Sequence, residues 1–296
     1  MAGGPGEFED PKGLLRFGDL LATRDFGDDR LSLWTWTGEP AGTRNLETLP
    51  LRGSAVWIAP VDTGRLAATT FVPIPSEGPI AALPRALVVA STSGELDTLA
   101  DVSIPGFQVV RAEGRTRQLP LPYTPVPVAA VSAGLVYVAR GAGYDVIGFG
   151  TTGDTVRRLT GPAERPPVTA GMKRAFASGI GDSAFAARIE YPKRAPVVRS
   201  LVAGPGGELL VRTWWRTGDL DRWDRWSGQG VYSGSFLLPT GAAHVAVGVG
   251  RIVARTEDAL DRQRVTVFTP SDSASCPGPV PDPARAPMAP PPERAP

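Results

Sequence analysis

The densest run of chemistry-bearing side chains is Arg212 to Trp226. It holds four tryptophans (Trp214, Trp215, Trp223, Trp226), four arginines (Arg212, Arg216, Arg222, Arg225) and three aspartates (Asp219, Asp221, Asp224). An indole face accepts a sugar ring or a cation, and a guanidinium fork matches a carboxylate or phosphate. Two readings follow. The tryptophans form a sugar-stacking or peptide-binding platform, or they fill the core between stacked sheets, the reading favoured for Trp223. Trp214 and Trp215 are adjacent, so a strand sends them to opposite faces. At least one then faces a loop or solvent. Trp214, Trp215, Arg216 and Arg222 are therefore the candidate ligand-binding residues, for an anionic or carbohydrate partner. The competing reading of the mixed charges is a set of solvated surface salt bridges, each worth little.

Other chemistries have thinner support. His244 is the single histidine. A Ser-His-Asp triad would need it as base, and no Gly-x-Ser-x-Gly elbow supplies a nucleophile. Catalytic residues stay unassigned. Cys276 is the single cysteine, so an intrachain disulfide and a zinc site of several His or Cys ligands are excluded. Asp25, Asp28 and Asp29 are placed in one hairpin loop and Asp219, Asp221 and Asp224 in another. Such oxygen ligands could hold Ca²⁺, but carboxylates in exposed turns more often form Asx-turns. The expectation is no metal ion and no cofactor. Gly204-Pro205-Gly206-Gly207 is a turn and not a phosphate loop, because no Lys-Ser/Thr pair follows it.

The elements that would position these residues are strands. The chain has 296 residues, 42% of them apolar, with 35 Gly and 31 Pro. That is enough for one large all-β domain, with many turns and few long helices. A motif recurs in which a Gly turn precedes a short apolar run, a polar loop and an alternating strand. Asp19–Thr23 pairs with Leu31–Trp36, Gly134–Val138 with Tyr144–Phe149, Gly207–Arg212 with Arg222–Trp226, and Gly250–Arg255 with Arg264–Phe268. Ala55–Ala59, Arg65–Val72, Ala86–Ala90 and Glu95–Leu99 make one four-stranded unit of blade length, and Phe107–Leu119 adds strand material. Apolar content on both faces suits a sheet stacked between two others. Pro162–Pro196 departs from the pattern. Val168–Ala177 has helical character and Ser183–Glu190 alternates. The segment is read as an outer strand plus a long inter-strand loop. From Ser271 onward the Pro- and Ala-rich composition cannot offset chain entropy.

Lys and Arg total 31 against 30 Asp and Glu, a formal net charge of +1. That balance argues against nucleic acid and against an anionic membrane surface. The first residues lack a basic and an apolar region, so they are not a signal peptide, and no apolar run is long enough to span a bilayer. The compartment stays open. A periplasmic or secreted location follows if an N-terminal segment has been lost.

Gly4-Pro5-Gly6-Glu7-Phe8 followed by Pro11 resembles the inter-blade loop of bacterial six-bladed β-propellers of the NHL-repeat and TolB-like kind. Leu209–Arg212, Trp223, Trp226, Gly230–Gly234 and Leu237–Pro239 are similar to that family's penultimate blade, and Gly250–Ala254 with Arg264–Phe268 to its last. The resemblance implies an all-β propeller of four-stranded antiparallel blades, five to six in number. Residues 1–12 would be an inter-blade loop, 13–270 the propeller and 271–296 a disordered tail. A propeller presents loops around a central channel, so the function expected is a non-enzymatic binding or scaffold module that meets a protein, peptide or carbohydrate at its blade-rim loops, and a monomer is expected. The alternative is a metal-dependent propeller hydrolase of lactonase type, which the single Asn45 disfavours.

Overall fold

Alternation decides the architecture. In Arg65–Phe71 the side chains of Leu66 and Ala68 bury against one neighbouring sheet and Ala67 against the other. In Arg85–Ser91, Val88 and Ala90 join the first cluster, and Leu87 and Val89 the second. A strand with apolar residues at odd and even positions must be covered on both faces. Sheets that meet this demand in sequence stack radially.

The computed structural model describes residues 11–17, 19–25, 30–46, 57–62, 64–71, 82–83, 85–91, 95–161, 164–248, 251–257 and 262–269. The Gly3–Phe8 loop, Asp28, Asp29, the Ser93-Gly94 turn, Cys276 and the 271–296 tail lie outside them.

The described residues form a propeller of five blades. Blade 1 comprises β1 (Pro11–Phe17), β2 (Leu20–Asp25), β3 (Arg30–Trp34) and β4 (Pro40–Asn45) in that order. Blade 2 comprises β5 (Trp57–Pro60), β6 (Arg65–Phe71), β8 (Arg85–Ser91) and β9 (Leu96–Asp101), with the short pair β7 (Ala82–Leu83) and β10 (Ile104–Pro105) beside it. A separate hairpin follows, β11 (Phe107–Ala112) with β12 (Arg115–Pro120). Blade 3 is β13 (Val128–Ser132), β14 (Leu135–Ala139), β15 (Asp145–Phe149) and β16 (Thr155–Thr160). Blade 4 is β17 (Val198–Ala203), β18 (Leu209–Thr217), β19 (Leu220–Trp226) and β20 (Tyr232–Pro239). Blade 5 shows three strands, β21 (Ala243–Gly248), β22 (Arg251–Glu257) and β23 (Gln263–Phe268).

All pairings within these sheets are antiparallel. The first strands of successive blades touch, β1 with β5, β5 with β13, β13 with β17 and β17 with β21. The first strand of each blade is thus the inner one. Four apolar clusters fill the four gaps between blades 1 to 5, with Leu31 and Leu66 in the first, Val89 and Val136 in the second, Tyr137 and Val211 in the third, and Trp223 and Ile252 in the fourth. Trp223 is core, as its favoured reading holds, with 1% exposure.

Residues 162–196 differ from expectation. Among the described residues they contain no outer strand; α1 (Ala170–Ile180) and α2 (Ser183–Ala186) stand there instead. Local signals explain both. The Thr169 side chain accepts from the Met172 N–H, and Gly181 closes α1 in the left-handed conformation, φ 69°. The Asp182 side chain caps α2 by accepting from the Ala184 N–H. Phe185 and Ile189, four residues apart, both bury against Val110, Ala112 and Leu119 of the β11–β12 hairpin. A separation of four puts two side chains on one face of a helix or of a strand, so the Asp182 cap, and not the spacing, decides for the helix. The hairpin itself turns through Glu113 and Gly114, φ 49° and 74°, the left-handed pair that a tight two-residue turn requires. Two inter-blade connections therefore join into one cap with its own small core.

Phe185→Ala should cost about 3 kcal/mol and should act locally. Hydrogen exchange is expected to show lost protection in 107–120 and 183–190, with the blade strands unchanged. Uniform loss across the blades would show that the cap is not a separate unit.

Candidate ligand-binding site

Asp221 and Asp224 were placed in a loop by their sequence neighbours; they stand instead in strand β19, with 0% and 2% exposure. A strand sends them to opposite faces. Asp224 turns toward blade 3 with Trp226, and Asp221 turns the other way with Trp223. Each carboxylate is satisfied by arginine. The charged stretch is therefore not a row of solvated surface pairs.

Asp221 is the hub. Arg199 Nη1 donates to its Oδ2 at 2.7 Å and Arg212 Nε to the same oxygen at 2.8 Å, while Arg216 Nε donates to Oδ1 at 2.8 Å. A second nitrogen of Arg212, Nη2, also donates to Oδ2. Thr240 Oγ1 donates to Oδ1 at 3.2 Å. Arg212 is used further, donating to the carbonyls of Thr240 at 2.6 Å and Ala242 at 3.1 Å. These two lie on the turn leading to blade 5.

Arg199 and Arg216 are not used up. Their side chains are 27% and 26% exposed. Each gives one N–H to Asp221, and among the described residues the rest of each fork meets no protein acceptor. Burial, and then the nearby Arg212 guanidinium, push Arg199 down to about 10 against the pull of Asp221. It is still protonated at neutral pH. Three guanidiniums on one carboxylate leave two positive charges in excess.

Trp214 shares the face of Arg212 and Arg216, between which β18 bulges. Its backbone N–H is carried to the Val197 carbonyl at 2.9 Å. The Arg199 guanidinium lies 4.5 Å from the Trp214 ring centre and that of Arg216 5.9 Å. Tyr123 meets the same ring edge-on at 5.1 Å. Tyr123 has φ 52°, a left-handed conformation costly for a bulky residue. Its hydroxyl donates to the Met172 carbonyl of α1, and its ring packs on Phe176 at 6.0 Å and Tyr191 at 6.5 Å. Burial pushes the Tyr123 phenol up. The cap thus reaches the blade-4 site through an aromatic ladder.

The four sequence candidates separate. Trp214 and Arg216 meet at the hub. Trp215, on the opposite face as expected, packs half-buried against the core between blades 3 and 4. Arg222 donates to Asp224 Oδ1 at 2.8 Å and to the Tyr232 hydroxyl at 3.5 Å. Near it the Tyr144 hydroxyl accepts from Trp226 Nε1 at 2.7 Å. Burial raises the Asp224 carboxyl above its ordinary range and lifts Tyr144 well above its own. Arg199 and Tyr123 were missed, because neither lies in the 212–226 run. The φ of Tyr123 has no sequence signal, whereas the Arg199 position just inside β17 could have been read from strand pairing.

Other expected positions are plain. Asp25, expected in a hairpin loop, instead ends strand β2, fully buried, 3.8 Å from Arg30. His244 stands in β21, and its side chain lies outside the described residues. Among the described residues, no three His, Cys, Asp or Glu side chains gather closely enough to hold an ion, and no helix is long and apolar enough to cross a membrane. A small apolar cleft opens between blades 4 and 5, lined by Leu210, Phe236, Val247 and Ile252 with Arg225 and Arg251. Arg225 there is paired with Glu208.

No protein-family model matches the chain, and no curated protein matches it. Some solved structures are similar to it at low identity. A protein from Bacteroides fragilis described as exported is 12% identical with a TM-score of 0.47, covering 92% of this chain and 80% of that one. A member of the DUF4221 family from Bacteroides vulgatus is 8% identical with a TM-score of 0.47, covering 90% of this chain and 81% of the other.

Two outcomes follow. Asp221→Asn should destabilise the fold by on the order of 3 kcal/mol, since it leaves one buried and two half-buried guanidiniums without a counter-charge. Thr240→Ala should cost only about 1 kcal/mol. Equal effects in denaturant unfolding would refute the hub. The raised Asp224 carboxyl has the opposite pH sign to a paired surface aspartate. Its protonated form is favoured by folding, so its contribution is present at low pH and fades as pH climbs through the folded value. The melting midpoint of the wild type minus that of Asp224→Asn should therefore fall from about pH 4 to pH 7. A rising difference would reverse the assignment.

Proposed function

We propose that this chain is a non-enzymatic binding propeller of the NHL-repeat and TolB-like kind, and that it takes an anionic group at Arg199, Arg216 and Trp214. The observation carrying this is the charge count at the hub: three guanidiniums, one carboxylate, and two part-exposed forks with unused donors. A half-buried positive excess is costly to leave bare and is relieved by an anion. The strained Tyr123 beside it supports a built site.

Two observations bear on the ligand. A guanidinium already lies near the Trp214 ring, at 4.5 Å, which leaves less of that ring for sugar stacking. The anion is favoured over the carbohydrate. Asp221 and Asp224 are held by arginines and turned apart, which favours binding over a hydrolase built on convergent carboxylates. The family assignment is supported by placement. The segment likened to a penultimate blade, Leu209–Pro239, lies in the fourth of the five described blades, and Arg251–Phe268 in the fifth.

Melting in citrate against chloride at equal ionic strength tests the reading. A ligand at one hundred times its dissociation constant stabilises by about 2.7 kcal/mol, which for a chain of this size is roughly 5–10 °C. The wild type should show a rise of that kind, and Arg216→Gln should lose most of it. An equal response in both proteins would sink the anion site.

A further inference from the structure

Charge is unevenly spread over this molecule. Residues 107–120 and 161–197, the two connections that build the cap, carry nine Lys and Arg against four Asp and Glu, an excess of five. The whole chain has +1, so the remainder is net −4. That −4 belongs to residues 1–10 and 271–296; the blade residues 11–106, 121–160 and 198–270 carry twenty cations and twenty anions, so near neutrality of the total hides a basic cap on neutral blades.

The basic side chains of the cap are mostly open. Lys173, Arg174, Arg188 and Lys193 are exposed. Lys173 Nζ sits 5.6 Å from the Tyr191 ring centre. Tyr191 meets Tyr123, and Tyr123 meets Trp214, which Arg199 and Arg216 flank. A ladder of rings thus runs from one cation on α1 to two at the hub. Its rungs are all half-buried, amphipathic and edge-to-face or tilted.

We propose that this face docks an acidic segment of another polypeptide, with one carboxylate seated on the Arg199 and Arg216 forks and others along α1. The proposal rests on the anion site above and names its ligand class. Size favours a peptide over a larger polyanion. An 11-residue helix is about 16 Å long, and surface fields fade within about 8–10 Å at ordinary salt. A short carboxylate-rich segment fits inside that footprint. A duplex or a lipid plane extends beyond it onto blades whose charges sum to zero, and gains no attraction there. The ladder adds apolar contact for the segment's methylenes, which a sugar-phosphate backbone uses less well.

The full-length protein should be titrated with a labelled twelve-residue peptide of alternating Glu and Ala. A twelve-nucleotide oligothymidylate and vesicles of phosphatidylcholine with phosphatidylserine serve as rival probes. The peptide is expected to bind, more weakly as salt rises, and to bind more tightly than either rival. The charge-reversed K173E/R174E/R188E protein should lose about tenfold in peptide affinity and keep the citrate response, while R216Q should lose both. Stronger binding of the oligonucleotide or the vesicles overturns the proposal. So does a citrate response without peptide binding, which leaves the anion site standing. Loss of both responses in the wild type overturns the two together. Unchanged peptide affinity in the charge-reversed protein, folded by its melting curve, removes the cap from the interface.

Discussion

One fully buried carboxylate ties the functional face together. Removing Asp221 from water costs several kcal/mol unless charged donors replace the water. They come from three places: β17 through Arg199, β18 through Arg212 and Arg216, and the turn after β20 through Thr240. Inner strand, second strand and the path to the next blade are thereby set against one another. The bulge that frees Trp214 from the β18–β19 ladder occurs where these arginines must converge on one side. The binding surface is in this sense a by-product of satisfying a buried charge with more cations than it can neutralise.

That excess has a physical consequence. Arg212 is 11% exposed and bonded on several sides, so its charge is absorbed by Asp221 and two carbonyls. Arg199 and Arg216 share what remains of the carboxylate. The depressed value of Arg199 reflects this crowding. Cation–aromatic contact with Trp214 offsets part of it, worth roughly 1–2 kcal/mol when partly desolvated, and Tyr123 holds the indole in place. A free anion would relieve the rest.

How much of this was legible in the sequence depends on the range of the forces involved. The blades were legible because alternation is local: Leu66-Ala67-Ala68 and Leu87-Val88-Val89-Ala90 state in a few residues that both faces are covered. Trp223 as core follows from the same pattern. The cap was not. Phe185 and Ile189 are four apart, a spacing that helix and strand share, and α2 is only four residues long, too short for periodicity to overrule the alternating look of Ser183–Glu190. The site was half legible. Trp214 and Arg216 stood out by density, but Arg222, equally dense, pairs with Asp224 instead, and parity along β19 was the missing step. Once Asp221 is placed in a strand, it cannot share a face with Arg222.

Net charge was the least informative reading. A value of +1 weighs against a basic partner-seeking protein only if charge is evenly spread. Here nine cations cluster in two inter-blade connections that lie far apart in sequence, 107–120 and 161–197, and meet where Val110, Ala112 and Leu119 bury against Phe185 and Arg115 pairs with Asp182. The field a partner meets is set within a Debye length of the cap, not by the sum over the chain. A small apolar core of five buried residues is therefore what concentrates the charge. The cap's packing and its chemistry stand or fall together: loosening Phe185 would spread the cations apart and dilute the attraction without removing a single charge.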